Sequence, residues 1–265
     1  MVFGKQSVTM QTLTCAKPVL RAAVLLVVVA LLLVPLNLRA QIQVGEYVHG
    51  AGFGILYVMA KKDGSLHFQL GVRGANFHMC DLAGQIRNGE ARMEDSSDDK
   101  LPCIVTFKAE KDGIAVGSTH GQTCNAYCGV RAWFEGHYAL PPAGCAPTRV
   151  ARIRRDFKAA YDAKRYTEAR ALLLPVAEKC SATMSDLDGA WVRNDLALTH
   201  YRNGDRAACI AVLRPWLELA QTPDDTIRGD YPPSDAAEML RIAQATRANM
   251  KLCGEAVTLR NQSRQ

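Results

Sequence analysis

The chain has 265 residues, 48% of them hydrophobic and 22% charged, with 32 basic against 26 acidic side chains and a formal net charge of +6. Four of the basic residues and none of the acidic ones fall within positions 1–40, so the balance beyond them is 28 against 26, a net charge of +2. The basic balance therefore belongs mostly to residues 1–40, which weakens a nucleic-acid reading, and nucleic acid is set aside as a partner.

Lys5, Lys17 and Arg21 precede thirteen consecutive apolar residues, Ala22 to Val34, closed off by Pro35, Asn37 and Arg39. A helix crossing a bilayer needs about 20 such residues, whereas a short apolar core behind a basic start is the plan of a secretory signal. Residues 1–40 are read as a signal cleaved after Leu38-Arg39-Ala40. The rest is expected in the periplasm or outside the cell. The alternative is an uncleaved N-terminal anchor in the inner membrane, facing the periplasm. Cys15 stands before the apolar core, which argues against lipoprotein processing.

Residues 41–147 carry short apolar runs separated by turn signals: FGILYVMA, KKDG, SLHFQLGV, RGAN, FHMCDLAG, then CIVTFKAE, KDG and IAVGS. Asp-Gly between alternating runs marks a hairpin. About eight strands are expected, ending in VRAWFEGHY, at spacings that suit a small antiparallel barrel or sandwich.

After Cys145-Ala146-Pro147-Thr148 the period becomes helical, and residues 148–254 form a second, all-α domain with a flexible tail over 255–265. YDAKRYTEARALLLPVAEKC (161–180) aligns with YRNGDRAACIAVLRPWLELA (201–220) at an offset of forty, pairing Tyr161 with Tyr201, Leu173 with Leu213 and Pro175 with Pro215. This resembles a tetratricopeptide-like array of helical hairpins, in which each repeat buries its apolar face against the next. The prolines are expected to kink or break the second helix of each hairpin. A last helix runs from about Asp235 to Leu252, with Asp235 and Glu238 as a capping pair and Gly254 as the stop. The fold class is thus α+β in two domains.

Beyond residue 40 there are eight cysteines, an even number that reads as a disulfide framework in an exported chain. The stretch CNAYCG places Cys124 and Cys128 four positions apart in turn and strand sequence. With His120 and His137 these two make an alternative four-ligand metal set. A redox pair would need C-x-x-C at a helix start. The favoured reading is a local disulfide, Cys124 to Cys128. Helical ends that meet across a hairpin pair Cys145 with Cys180 and Cys209 with Cys253, which leaves Cys80 for Cys103.

No nucleophile elbow, H-E-x-x-H helix, phosphate-binding loop or dinucleotide fingerprint is present. No catalytic residue and no cofactor are therefore assigned, and the chain is expected not to be an enzyme. The acidic run EDSSDD (94–99) reads as a solvated loop, and His49, His67 and His78 as structural. Partner-binding candidates are the aromatics Trp133, Phe134 and Tyr138, since aromatics dominate interface hot spots, and Asp224, Asp225 and Asp230 in a polar loop.

The strings CDLAG, CIVTF and CNAYCGVRAWFEGHY resemble a β domain of secreted bacterial proteins related to the LprI-type lysozyme inhibitors, over about residues 45–140. The resemblance implies a partner among envelope hydrolases, such as a peptidoglycan hydrolase, and carries over no inhibitory residue. Two functions are weighed: a non-enzymatic binding protein, inhibitor or scaffold, and a periplasmic hydrolase or metal-binding module built on the β domain.

Overall fold

The computed structural model describes Met1 and residues 41–50, 52–93, 101–119 and 121–260. The expected signal, the acidic run 94–99 and His120 lie outside the described residues.

Eight strands form one antiparallel sheet: β1 (Gly45–His49), β2 (Gly54–Ala60), β3 (Leu66–Arg73), β4 (Met79–Ile86), β5 (Glu90–Arg92), β6 (Ile104–Ala109), β7 (Gly113–Ser118) and β8 (Gly136–Ala139). Their order is β4-β3-β2-β1-β8-β7-β6-β5. Every strand but one pair lies beside its sequence neighbour. The exception is β1 with β8, joined through Val48–Ala139 and His49–Tyr138, and it rolls the meander into a nearly closed barrel. Period-two alternation turns Leu56, Val58, Phe68, Leu70, Val105, Phe107, Ile114 and Val116 inward. The rings of Phe68 and Phe107 meet 4.9 Å apart in the interior.

The barrel's seam runs between β4 and β5. At one end a two-residue turn closes it. Asn88 and Gly89 are both left-handed (φ 54° and 85°), and Arg87 and Glu90 exchange backbone hydrogen bonds of 2.7 and 3.0 Å. This is the primed turn whose twist matches paired strands. Beyond it, no ladder joins β4 to β5 among the described residues.

The stretch VRAWFEGHY departs from expectation, because only Gly136–Ala139 is strand. The Gly129 N–H donates to the Met79 carbonyl at 2.8 Å, which ties the start of the stretch to β4. From there the chain must cross the end of the barrel to reach the gap between β7 and β1. Residues 130–135 make that crossing, so they cannot join a ladder.

The helices are α1 (Gly121–Cys124), α2 (Pro147–Asp162), α3 (Tyr166–Lys179), α4 (Asp186–Arg202), α5 (Arg206–Leu213), α6 (Leu217–Gln221), α7 (Asp224–Asp230) and α8 (Pro233–Cys253). Helix α2 packs against α3 and α4 against α5, each pair joined by a short turn, and positions forty residues apart match in burial at two places. Ala169 and Cys209 are both fully buried, as are Leu173 and Leu213. The turns also correspond. Lys164 and Gly204 are left-handed (φ 61° and 81°), and the next N–H reaches back to Ala160 at 2.9 Å and to His200 at 3.0 Å.

The two prolines behave differently. Pro175 lies inside an unbroken α3, which is packed between α2 and α4. Pro215 breaks its helix as expected, in a 3₁₀ turn over Arg214–Trp216, after which α6 turns to pack on α8. Helix α8 covers the second hairpin and ends at left-handed Gly254 (φ 101°). Asp235 and Glu238 do not cap it by side-chain hydrogen bonds, contrary to the capping-pair expectation. The Asp235 carboxylate accepts the Asn76 N–H at 2.8 Å, and Glu238 accepts the Trp191 indole N–H at 2.7 Å.

The barrel supplies what these helix ends need. The Asn76 side-chain oxygen accepts the Ser234 N–H at 3.1 Å, in the first turn of α8. Glu46 on β1 accepts the Thr148 N–H at 2.9 Å and the Thr148 hydroxyl, in the first turn of α2. Both contacts satisfy N–H groups that a helix cannot satisfy itself. Between them Gly52 (φ 87°) presses on the chain before α4, where an added Cβ would lie 2.2 Å from the Ser185 nitrogen. Residues 40–265 hold together as one compact unit. Over 255–260, the stretch expected to be a flexible tail, the Arg260 N–H donates to the Gln221 carbonyl at 2.8 Å, and its guanidinium lies 3.1 Å from Glu218.

Candidate functional site

Four disulfides order the two halves. Cys145–Cys180 and Cys209–Cys253 join the expected helical ends, with Cα separations of 5.2 and 6.1 Å. The other two correct the sequence reading. Cys80 pairs with Cys128 and Cys103 with Cys124, in place of Cys80–Cys103 and Cys124–Cys128. The cause lies in the barrel seam. Cys80 is in edge strand β4, while Cys103 precedes β6 and its carbonyl accepts the Met93 N–H just past edge strand β5. The helical turn through α1 and Asn125–Tyr127 sets one cysteine against each rim. CNAYCG is therefore not stapled to itself; it laces the unzipped end of the barrel. Helical geometry there also departs from the turn-and-strand reading.

The alternative metal set is overturned by the same bonds, because Cys124 and Cys128 are consumed in disulfides and offer no thiolate. His137 is engaged elsewhere, with Nδ1 2.8 Å from Glu110 and Nε2 3.5 Å from Asp112, all three on the surface of the β7–β8 region. Among the described residues no group of three or more His, Cys, Asp or Glu side chains is placed to hold a metal ion.

The partner-binding candidates divide sharply. Trp133 is 68% exposed, on the crossing segment. Phe134 and Tyr138 are buried in the barrel core. The Tyr138 hydroxyl donates to the Phe134 carbonyl at 2.7 Å, its ring stacks on His49 at 4.9 Å, and burial pushes its phenol far above the ordinary range. Asp224 accepts from Arg247 at 2.5 Å and from Gln244 at 3.1 Å, and the Arg247 bond lowers its carboxyl pKa. It is a structural link between α7 and α8. Asp225 pairs with Arg228 at 2.7 Å on the surface, and Asp230 is exposed at the end of α7.

Two cavities bring together residues that belong to no sequence motif. The first is an open groove of about 640 Å³ between α2 and α4, the first helices of the two hairpins. Arg154, Arg155 and Lys158 line one side, with Phe157 and Tyr161 beside them and Asp195 and Leu198 opposite. Arg154 reaches Asp188 across the groove at 3.1 Å, and Lys158 holds Asp162 at 2.7 Å. Arg155 is exposed with no ionic partner among the described residues. Burial raises the Asp195 carboxyl pKa, and the nearby Arg154 and Lys158 offset part of that rise. Arg149, Arg152, Arg154, Arg155 and Lys158 crowd a single helix, and that density was visible in the sequence.

The second cavity, about 460 Å³, lies where the barrel meets the helical half, and its wall includes the exposed Trp133. Its residues come from β3, the loop after β1, the crossing segment and the starts of α4 and α8. No sequence pattern joins segments that far apart.

No family model, curated protein or solved structure matches this chain.

Proposed function

We propose that the chain is a non-enzymatic, exported binding protein whose helical half holds a segment of another envelope protein in the groove between α2 and α4. The observation that carries this reading is the groove itself. Two hairpins related by forty residues leave their first helices apart, and the gap is lined by three cations, two aromatic rings and the carboxylates of Asp162 and Asp195. Aromatic and arginine side chains are the ones that anchor interfaces. The repeated burial pattern supports a tetratricopeptide-like stack, in which such grooves receive an extended segment or a helix. Arg155, the one of these cations without an ion pair among the described residues, and the excess of three cations over two carboxylates in the lining favour an acidic segment.

Four disulfides suit an oxidising compartment, periplasmic or extracellular. No described helix is long and apolar enough to cross a membrane. In this reading the barrel serves as a rigid base, capping α2 through Glu46 and α8 through Asn76. The resemblance to proteins related to LprI-type inhibitors directs the search for a partner toward lysozyme-like hydrolases.

The test is capture from an envelope extract by the oxidised chain, beside a variant carrying Arg155→Glu and Lys158→Glu. Both side chains are exposed, so the variant should fold. It should lose the captured protein. Equal capture by both would remove the groove as the binding site. In parallel, stoichiometric chain should slow muramidase turnover if the partner is lysozyme-like, and unchanged turnover would remove the inhibitor version.

A further inference from the structure

The cavity between the barrel and the helices has the character of a small-molecule site. Phe53, Val72, Trp133, Leu187, Tyr231 and Met239 supply apolar walls, and its volume of about 460 Å³ falls in the range of ligand pockets. An occupant must therefore bring an apolar body. One basic and two acidic side chains also line the cavity: Arg73, Asp186 and Asp235.

The two carboxylates are compensated within the fold. Asp186 is the first residue of α4 and Asp235 lies in the first turn of α8, where the helix dipole offsets negative charge. Asp235 also accepts the Asn76 N–H. Arg73 has no such compensation. Its guanidinium lies 5.0 Å from the Phe77 ring centroid and 5.9 Å from that of Phe53, with no ion pair to any described carboxylate. Aromatic contact steadies a guanidinium by its face. Its N–H edge is the part that grips a carboxylate in a bidentate manner.

We propose that this cavity binds a small monocarboxylate with an apolar body, an alkanoate or arylalkanoate, its body against Trp133, Met239 and Tyr231 and its carboxylate on Arg73. The site is separate from the α2–α4 groove, and its occupancy does not depend on that groove binding a protein.

The test titrates the full oxidised chain with decanoate, 3-phenylpropionate and uncharged decanol, each below the concentration at which it aggregates. Calorimetry and tryptophan emission report binding, and Trp133→Phe identifies the emission change that arises at the cavity. At least one of the two acids should saturate a single site, and which acid does so distinguishes alkyl from aryl ligands. Decanol should bind at least about tenfold more weakly than the preferred acid, because a charge-assisted bidentate contact is lost. Arg73→Gln should weaken the acid by about tenfold to hundredfold and leave decanol unchanged. Met239→Trp, which fills the cavity from a partly exposed helix position, should abolish both. The Arg155→Glu, Lys158→Glu variant should bind the acid normally. Absence of saturable binding by both acids overturns the proposal, as does decanol binding as tightly as the acid. Unchanged affinity in a folded Arg73→Gln chain also overturns it. Should that variant not fold, the comparison of acid with alcohol on the unaltered chain decides alone.

Discussion

His200 and Asp195 sit five residues apart on α4, and burial moves the pKa of each against its charged form. His200 is nearly enclosed. Burial lowers the imidazole pKa, Arg170 adds to that effect, and Asp205, 3.9 Å away, opposes it. A base whose folded pKa is depressed is protonated first in the unfolded chain, so protons favour unfolding once the pH falls below about 6.5. Denaturant melts at pH 7 and pH 5 should show stability falling, and His200→Gln should lose less between the same two points. An equal loss in both chains would place the acid sensitivity elsewhere. For Asp195 the sign reverses. Burial raises its carboxyl pKa, so its charge weighs against the fold at neutral pH. Asp195→Asn should melt higher at pH 7, and the gap should close once the pH drops below about 3.9, where both states of the parent are protonated.

At the level of elements, the hairpin turns offer a matched experiment, because the same left-handed position holds Lys164 in one repeat and Gly204 in the other. Left-handed backbone costs a residue with a Cβ about 1–2 kcal/mol. Gly204→Ala has open space for its methyl group and should lose about 1 kcal/mol through conformation alone. Lys164→Gly should gain up to about 1 kcal/mol, since the freedom of glycine in the unfolded chain offsets part of the relief. Each change should move the melting temperature by about 2–4 °C. The forty-residue offset can be read in the sequence because burial imposes the same small and apolar residues at 169 and 209 and at 173 and 213. The strand count was legible for a similar reason, as alternation is written directly into LHFQLGV and IVTF. Asn88-Gly89, the strongest hairpin signal in the barrel, stands in the sequence beside the Asp-Gly pairs and forms the turn between β4 and β5. The fate of each proline was not legible, because it depends on which neighbouring helices flank it.

In the molecule as a whole, the barrel and helices meet through contacts that no periodicity announces: Glu46 to Thr148, Asn76 to Ser234, and Gly52 to Ser185. The candidate sites follow the same rule. Trp133 could be named from its residue type, but Arg73 gains its meaning only when Phe53, Phe77 and two helix starts assemble around it. Pairing the barrel cysteines failed for want of the same long-range information, since the seam that separates Cys80 from Cys103 is a property of the closed sheet. The lacing should show in energetics. Removing Cys103–Cys124 or Cys80–Cys128 by paired alanine substitution opens loops with separations of 21 and 48 residues. Chain entropy gives losses of about 3 and about 4 kcal/mol. Denaturant midpoints of the two variants should fall in that order, and peptide mapping without reduction should recover these two crosslinks from the parent chain.

The connectivity also bears on how the protein is made. A chain leaving a ribosome or a translocation pore presents its thiols in order. Cys145 then meets Cys180, and Cys209 meets Cys253, each with the next thiol to appear after it. Cys80 is followed by Cys103, yet its partner Cys128 arrives two thiols later still. An oxidant that joins thiols as they appear would complete the helical half correctly and trap the barrel with both of its bonds misplaced. Only thiolate exchange can then recover the nested pairs. Recombinant yield should therefore depend on a disulfide isomerase, and the dependence should reside in Cys80, Cys103, Cys124 and Cys128 alone.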